Sequence, residues 1–301
     1  MGIAKLMIEP RYYNSPFDQG FDQLLEDANS IILDLKTDGY RVSDSCRFSL
    51  FTRKLSSLIK NNYGVGDQSF DLALLAEGVR DFLEIRAITK SHKVRTDNRK
   101  EIQTLLGGAS IPSSDQITHS RDLQYQLFLA AIFDLSGFFV EICEPDFIFK
   151  YETATYAVAA KRINSEQKLH ARFSSAKKQL KKGSINGFIA FSLDRIVWNK
   201  IKQDAYIVAG KPDTLYEAGR KILHDLLRSK VKKAAWENRD PLIVGHIASL
   251  TIPAILPKLL SLGVSSTQFF IPSIDVPQES ITYRHITELP EKIKWPQQAC
   301  K

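Results

Sequence analysis

The stretch from residue 119 to residue 195 constrains the fold most, because the spacing of its apolar residues changes several times within one run. A stripe at helical spacing predicts a helix that ends near Gly137. Its members are Leu123, Leu127, Ala131 and Leu135. Runs of β-branched and aromatic residues then predict strands at 138–142, 147–149, 155–163 and 185–193, with a second helix at 165–182. This mixture of helices and strands predicts an α/β fold.

The two flanks of this stretch differ from each other. Residues 1–106 carry apolar residues at three- and four-residue spacing, which predicts a mainly helical N-terminal domain, with the N-terminal third of the chain almost wholly helical. The helices are expected at 21–35, 48–59 and 70–88. A segment rich in Gly, Ser and Pro predicts a linker at 107–118, and residues 119–301 form the predicted α/β domain. Its last part is expected to contain a helix at 214–235, strands at 242–247 and 268–274, and an apolar helix at 253–262.

Positive charge is concentrated in one segment. The chain has 41 Lys and Arg residues against 34 Asp and Glu residues, a net charge of +7. Between Lys161 and Lys182 lie eight basic residues and one acidic residue, Glu166, so this segment alone equals the net charge of the chain. Such a basic face predicts a polyanionic partner, since these side chains neutralise phosphates and release counterions. A solvated helix face is the alternative. The predicted nucleic-acid-binding residues are Arg162, Lys168, Arg172, Lys177, Lys178 and Lys181.

A proline–aspartate pair and a strand lysine form the most specific pattern. The pair is Pro145-Asp146. The next predicted strand contains Ala159-Ala160-Lys161, which begins thirteen residues after Asp146. With the basic helix that contains Gln179 and the apolar strand 187–194, this arrangement resembles the core of the PD-(D/E)-x-K nuclease superfamily over residues 119–195. The resemblance implies a restriction-endonuclease-like mixed sheet flanked by helices, and it adds Gln179 to the nucleic-acid-binding residues.

The activity that the resemblance implies is metal-dependent hydrolysis of nucleic-acid phosphodiesters. Strand alternation places positions 159 and 161 on one face, toward Asp146 on the paired strand. Mg²⁺ or Mn²⁺ would be held by Asp146, a carboxylate at position 159 and the Ala160 carbonyl, because hard cations prefer oxygen ligands. Asp146, Ala159 and Lys161 are therefore the candidate catalytic positions, with Lys161 at the reacting phosphate. The accessory candidates are Asp122, Gln126 and Glu144.

The sequence departs from the family pattern at position 159, where an acidic residue is expected and Ala159 stands. Three explanations compete: an introduced substitution that captures an inactive protein, a natural pseudo-enzyme, or migration of the acid to Glu152 or Glu166. The intact Lys161 favours the first, since drift in a pseudo-enzyme would erode the other positions as well. The sequence therefore predicts a nuclease that is inactive in this form.

The resemblance implies a nuclease of prokaryotic antiviral defence or DNA processing, with DNA favoured over RNA as its substrate. Two alternatives stay open: a non-catalytic nucleic-acid-binding module, and a protein that docks a partner, or a second copy of itself, through the helical N-terminal domain. No signal peptide, membrane span or disulfide pattern is recognisable, so we expect a cytoplasmic protein without membrane contact. His246, within an apolar strand, is interpreted as a core or edge histidine rather than a metal ligand.

Overall fold

The computed structural model describes residues 11–60, 69–108, 119–198, 221–256, 261–273 and 275–294. Its strands are β1 Arg11–Gly20, β2 Phe139–Glu141, β3 Phe147–Tyr151, β4 Ala154–Arg162, β5 Gly187–Ser192, β6 Ile243–Leu256 and β7 Ser261–Pro272. Its helices are α1 Phe21–Thr37, α2 Arg47–Lys60, α3 Ser69–Lys90, α4 His92–Asp97, α5 Arg99–Leu105, α6 His119–Leu135, α7 Leu169–Gly183, α8 Asp194–Trp198, α9 over 221–237 and α10 Ile281–Lys292. A 3-10 turn, Glu166–Lys168, precedes α7, and α9 contains a π-helical turn at Leu227–Val231.

Within the described residues, seven strands form one mixed sheet in the order β1-β7-β6-β5-β4-β3-β2. Neighbouring strands are antiparallel except β4–β5 and β5–β6, which are parallel. Parallel neighbours end at the same edge of a sheet, so the residues that follow β4 and β5 lie close together. Gly187 permits the close approach of β5 to β4, because a Cβ atom there would collide with the Ala157 carbonyl oxygen. The α/β fold predicted from the sequence is confirmed.

Alternate residues of the central strands face two separate apolar cores. Phe188 and Ala190 of β5 belong to a core shared with α1–α6 and α10. Ile189 and Phe191 belong to a second core shared with α7 and α9. Because both faces are covered, β5 is buried along its whole length, which explains its continuous apolar run in the sequence. The sheet therefore lies between two helical layers, with α6 directly on β4.

Two predictions from the sequence are wrong. The N-terminal third is not almost wholly helical, because Arg11–Gly20 forms β1 and pairs with β7. The apolar helix predicted at 253–262 is also replaced: residues 253–256 continue β6, residues 261–262 begin β7, and 257–260 lie outside the described residues. Leu256 pairs with Ser261 in this hairpin. A short apolar run does not distinguish a helix from a buried strand, and pairing with β7 decides the outcome here.

Most other predicted elements match the structure. The helices expected at 21–35, 48–59, 70–88 and 165–182 correspond to α1, α2, α3 and α7. Of the helix expected at 214–235, the described part from residue 221 is helical, and 214–220 lie outside it. The predicted linker lies outside the described residues from 109 onward, so the domain bounds stay a prediction. No helix in the described ranges has both the length and the apolar character needed to cross a membrane.

A buried set of polar side chains joins the N-terminal helices to the edge of the sheet. The Asp81 carboxylate of α3 accepts hydrogen bonds from Arg47 of α2 at 2.8 Å and from Arg121 of α6 at 2.9 Å. Glu84, also on α3, accepts a hydrogen bond from Arg162 at the end of β4 at 2.8 Å. Each residue of this charged network is at most 5% exposed. The network consists of Arg47, Arg80, Asp81, Glu84, Arg121, Gln124, Arg162 and Asp194.

Arg80 and Gln124 connect the carboxylates of the charged network. Gln124 Nε2 donates to Asp81 at 3.2 Å and also to Glu84. Arg80 Nη2 lies 2.7 Å from Glu84 and 3.0 Å from Asp194, which begins α8 after β5. Burial alone would raise the pKa of Asp81, but the surrounding guanidinium groups outweigh it and hold this pKa well below its usual range. The network therefore fixes α2, α3 and α6 to the carboxyl ends of β4 and β5.

One outer strand of the sheet is β2, which has only three residues. Phe139 of β2 is 50% exposed. The ammonium groups of Lys93 and Lys150 lie 4.1 and 4.8 Å from the centre of its ring, as in cation–π contacts. The exposed ring at this edge is therefore flanked by two cations.

We expect Arg162→Met to lower the free energy of unfolding by about 3–5 kcal/mol, because it leaves the buried Glu84 carboxylate with one guanidinium partner fewer. Urea denaturation followed by circular dichroism measures this loss. Arg284→Met is the matched control: Arg284 lies 2.7 Å from Glu152, but its side chain is 50% exposed, so we expect a loss of at most about 1 kcal/mol. Equal losses in the two variants would contradict a structural role for the charged network.

Candidate functional site

An ion pair between Asp146 and Lys161 lies at the edge of the sheet where β4 ends. Lys161 Nζ is 3.3 Å from Asp146 Oδ2 and donates a hydrogen bond to the Ala160 carbonyl at 3.0 Å. The Ala160 backbone N–H donates to the same Asp146 oxygen at 2.6 Å. Both charged side chains are less than a tenth exposed. The two groups are therefore held against one backbone segment and against each other.

The strand register places position 159 beside this ion pair. Phe147 of β3 pairs with Val158 of β4, and Asp146 directly precedes Phe147 at this end of the ladder, next to Ala159. Its contact with Lys161 places the carboxylate on the face of β4 that Lys161 shares with position 159. Ala159 itself is fully buried in the apolar core beneath α7 and pairs with Ile189 of β5. The structure thus brings Asp146, Lys161 and position 159 together on one face.

The Asp146 carboxyl has a perturbed acidity. Burial raises its pKa to about 6, against an ordinary value of 3.8, and Glu144 adds a little in the same direction. The positive charge of Lys161 and the hydrogen bond from the Ala160 N–H act against this rise. A carboxyl with a raised pKa and a cationic partner, at a sheet edge, is typical of functional sites as well as of buried ion pairs.

The residues at this edge do not fit a divalent cation as the sequence stands. Asp146 is the one carboxylate among the three predicted ligand positions, and Ala159 contributes only a methyl group. The Lys161 ammonium already contacts Asp146 Oδ2 and the Ala160 carbonyl, the two oxygens that a metal ion would need. Across the described ranges, no group of three or more His, Cys, Asp or Glu side chains could hold a metal ion. The Mg²⁺ or Mn²⁺ that the resemblance implies thus lacks a sufficient donor set here.

Gln179 connects the basic helix to this edge. Its Nε2 atom donates to the carbonyl of Pro145 at 3.3 Å, and the preceding Glu144–Pro145 peptide bond is cis. Its Oε1 atom is buried and has no hydrogen-bond partner within the described structure. Gln179 therefore lies against the loop that carries Asp146.

The cations of the basic segment lie mainly on the outer side of α7. The buried residues of α7 are apolar and face the sheet: Leu169, Phe173, Ala176 and Leu180. The exposed cations are Lys168, Lys178 and Lys182, and Lys177 is half-buried. Lys181 is also exposed, but its ammonium lies 2.8 Å from Asp240. The helix is amphipathic, with a cationic face toward solvent.

The nucleic-acid-binding role predicted for Arg162 is wrong. Its side chain is 5% exposed and bonds Glu84 within the charged network, so it cannot reach a phosphate. Strand alternation explains the error: Arg162 follows Lys161 directly and points to the opposite face of β4. Arg172 of α7 is accessible, and its guanidinium lies 3.8 Å from Asp122.

The accessory candidates are spread over two elements. Glu144 is exposed in the loop before β3, two residues from Asp146. Asp122, in the first turn of α6, faces α7 through Arg172, and Gln126 lies one turn later and is half-buried. Within the described structure, the hydrogen-bond partners of Asp146 are Lys161 and the Ala160 N–H, and they include none of these three side chains.

Migration of the missing acid to Glu152 is also wrong. Glu152 lies in the turn between β3 and β4, about 23 Å along the strand from position 159 at the usual rise per residue. It bonds Arg284 at 2.7 Å and His285 at 3.1 Å, both on α10. Glu166, the other candidate, begins the turn before α7, on the side of β4 where Lys161 lies.

Sequence reasoning missed the charged network that borders this site. A signal was present: Arg80 and Asp81 lie four and three residues before Glu84 in a largely apolar stretch of α3. In an exposed helix such residues are ordinary, so the signal becomes specific only when the helix is known to be buried on most sides.

Comparisons of the chain with protein-family models, with curated proteins and with solved structures find no match. The nuclease resemblance therefore depends on the residues and distances given above.

His246 of β6 is a core histidine, as the sequence predicted. It is 8% exposed, and its ring stacks on Phe173 of α7 with 5.6 Å between the ring centres. Burial lowers its pKa from an ordinary 6.5 to about 4. The folded protein therefore keeps this ring neutral at pH values at which the unfolded chain protonates it.

We expect the protein to lose stability relative to His246→Gln as the pH decreases from about 6.5 to about 4, because the unfolded state then binds one proton more than the folded state at His246. The raised pKa of Asp146 acts in the opposite direction, but it is common to both proteins and cancels in the comparison. For a shift of this size the loss reaches about 3 kcal/mol. His246→Gln should remove this loss, and the exposed His92→Gln should leave it unchanged. Urea denaturation at several pH values measures the free energy of unfolding of each variant. If this free energy depends on pH in the same way in the unmodified protein and in His246→Gln, the prediction is contradicted.

Proposed function

We propose that this protein binds nucleic acid and has the architecture of a metal-dependent nuclease whose cleavage site lacks one carboxylate, at Ala159. The observation that carries the proposal is the Lys161–Asp146 pair, which lies on the same face and at the same edge as position 159. Asp146 directly precedes β3, and Lys161 lies on β4, two residues after position 159. This arrangement of an aspartate and a lysine is the one that a restriction-endonuclease-like fold requires. The mixed sheet with helices on both faces supports this finer assignment.

The chain's own residues have distinct tasks in this proposal. The exposed cations of α7 hold the phosphate backbone, which gives affinity with little sequence specificity. With a carboxylate at position 159, Lys161 would supply a positive charge at the reacting phosphate, and Asp146 and the Ala160 carbonyl fix the direction of its ammonium group. Gln179 positions α7 against the loop of Asp146. DNA is favoured over RNA as the polymer bound, and a role in prokaryotic defence or DNA processing follows from the resemblance alone.

We expect Ala159→Glu to gain Mg²⁺- or Mn²⁺-dependent cleavage of DNA or RNA, because it places a second carboxylate beside Asp146 and Lys161. Cleavage is measured with single- and double-stranded DNA and RNA, with and without each metal. In the same variant Mg²⁺ should raise the melting temperature, since a ligand that binds only the folded state stabilises it.

Ala159→Gln is the matched control, because it adds the same volume without a charge. Neither cleavage nor stabilisation by Mg²⁺ is expected for it. Adding Asp146→Ala or Lys161→Ala to the glutamate variant should abolish cleavage. Equal cleavage by the Ala159 protein would show that another residue, such as Glu166, supplies the acid. No cleavage by any variant on any substrate would leave the non-catalytic binding module as the function.

A second prediction concerns the cationic face of α7. We expect changing Lys177, Lys178, Lys181 and Lys182 to Gln to weaken binding to all sequences and to reduce the salt slope by about 1 for each lysine that contacts a phosphate. Fluorescence anisotropy with labelled oligonucleotides at several salt concentrations measures both effects. The control removes the same charge from exposed lysines of the N-terminal helices: Lys36, Lys60, Lys90 and Lys100. If both quadruple variants lose affinity equally, α7 is not the binding surface.

The non-catalytic module is the second candidate, and one observation favours it. The Lys161 ammonium is already neutralised by Asp146, and the site as it stands does not fit a metal ion. A protein with this site and an intact α7 would bind nucleic acid without cleaving it, so binding without cleavage after Ala159→Glu separates this candidate from the first.

A further inference from the structure

A cavity of about 370 Å³ lies between α9, β6 and the end of β7, on the face of the sheet that α7 also covers. This volume is within the usual range of small-molecule sites, about 300–1,000 Å³. Apolar side chains such as Leu227 and Ile271 form much of its wall, and its cationic lining residues are Arg228, Lys232, Lys233 and Arg239. No acidic side chain of the described structure lines it. The cavity thus combines an apolar interior with positive charge.

Trp236 gives this cavity an aromatic surface. Its side chain is 48% exposed, although tryptophan is usually buried. The guanidinium of Arg239 lies 4.4 Å from the centre of the indole ring. Exposed aromatic rings and arginine planes are the groups on which proteins stack unpaired bases. A flat aromatic ligand would therefore find a stacking surface here.

His246 gives the same cavity a buried polar group. Its ring lines the cavity, and burial is the one cause of its lowered pKa, with no charged or hydrogen-bonding neighbour in the described ranges contributing. At neutral pH the ring has one nitrogen that donates and one that accepts a hydrogen bond. An alkyl chain in the cavity would leave these nitrogens unsatisfied, whereas the edge of a heterocycle offers both a donor and an acceptor.

The backbone of α9 is irregular where it lines this cavity. Leu227–Val231 form a π-helical turn, and four of these five residues contribute to the cavity wall. Single π-helical turns are rare and occur frequently at functional sites. This irregularity therefore points to the same location as Trp236 and His246.

We propose that this cavity is a nucleotide-binding site, in which a heterocyclic base enters the apolar part beside His246 and stacks on Trp236, while its phosphate lies at Arg228 and Lys232. The site is separate from the Asp146–Lys161 pair and does not depend on cleavage. The nucleotide is either a free molecule or an unpaired residue of a nucleic-acid strand, and the shared chemistry is an aromatic base that carries a phosphate.

Isothermal titration calorimetry with AMP, GMP, CMP and UMP tests this site directly. At least one of these nucleotides should bind about tenfold or more tightly than ribose 5-phosphate, which has the phosphate and lacks the base. Inorganic phosphate and the matching nucleoside should each bind more weakly than the nucleotide. Competition with a single-stranded oligonucleotide identifies the source: displacement shows that the cavity takes an unpaired residue of a strand, and no displacement shows a site for a free nucleotide.

Two substitutions assign the binding to the cavity. Trp236→Ala should weaken nucleotide binding about tenfold or more, and Trp236→Phe, which keeps an aromatic ring, should retain most of it. His246→Phe should reduce the difference in affinity among the four nucleotides, since it removes the hydrogen bonds to the base edge. Phe139→Ala is the matched control, because Phe139 is equally exposed and lies near two lysines at the far edge of the sheet.

Several results would overturn the proposal. They are the absence of binding for all four nucleotides and for the oligonucleotide, equal binding of ribose 5-phosphate, and equal losses in Trp236→Ala and Phe139→Ala. Circular dichroism and the melting temperature show whether each variant is folded, and Trp236→Phe keeps the test decisive if Trp236→Ala does not fold. The test measures nucleotide affinity. Its result therefore does not depend on whether α7 binds nucleic acid or on whether Ala159→Glu gains cleavage.

Discussion

The buried charged network around Asp81 and Glu84 is the constraint on which the rest of the structure depends. Moving a guanidinium or a carboxylate out of water costs several kcal/mol, and only close partners offset that cost. Here the partners come from α2, α3, α6, the end of β4 and the start of α8. Apart from the contacts of Arg80 within α3, these ion pairs join different elements, so each element is stable in the interior only when the others are in place.

This constraint extends to the candidate site through β4. Lys161 and Arg162 are neighbours on that strand and point to opposite faces, one toward Asp146 and one toward Glu84. The network therefore fixes the end of β4 at Arg162. Lys161, the residue before Arg162 on this strand, forms the ion pair with Asp146. Ala159, two residues earlier, lies in an apolar core, and a carboxylate introduced there would depend on Lys161 and on any bound cation for its neutralisation.

Local patterns predicted much of the fold, and tertiary pairing decided the rest. The stripe that formed α1 was recognisable because it follows the helical period, and the apolar run that formed β5 was recognisable because it has the length and composition of a strand buried on both faces. The predicted helix at 253–262 failed because backbone pairing with β7 determines that segment. The sequence predicted that Asp146 and Lys161 lie close together, and they form an ion pair, although Asp146 precedes β3 instead of lying on it. The sequence could not show that Arg162 is buried, since that depends on Glu84, 78 residues earlier. The cavity beside Trp236 depends on how three consecutive elements, α9, β6 and β7, pack against one another, and no local signal reveals it.

The short outer strand β2, whose Phe139 ring lies near the ammonium groups of Lys93 and Lys150, also limits the addition of a β-strand from another chain to the sheet. An outer strand exposes unpaired backbone groups, and a second chain can add to them if the edge is long, flat and uncharged. Here the edge offers three residues, and two ammonium groups lie over the exposed ring of one of them, Phe139. The outer strand β2 is consequently protected against edge-to-edge aggregation. The Phe139 ring remains half exposed to solvent as a result.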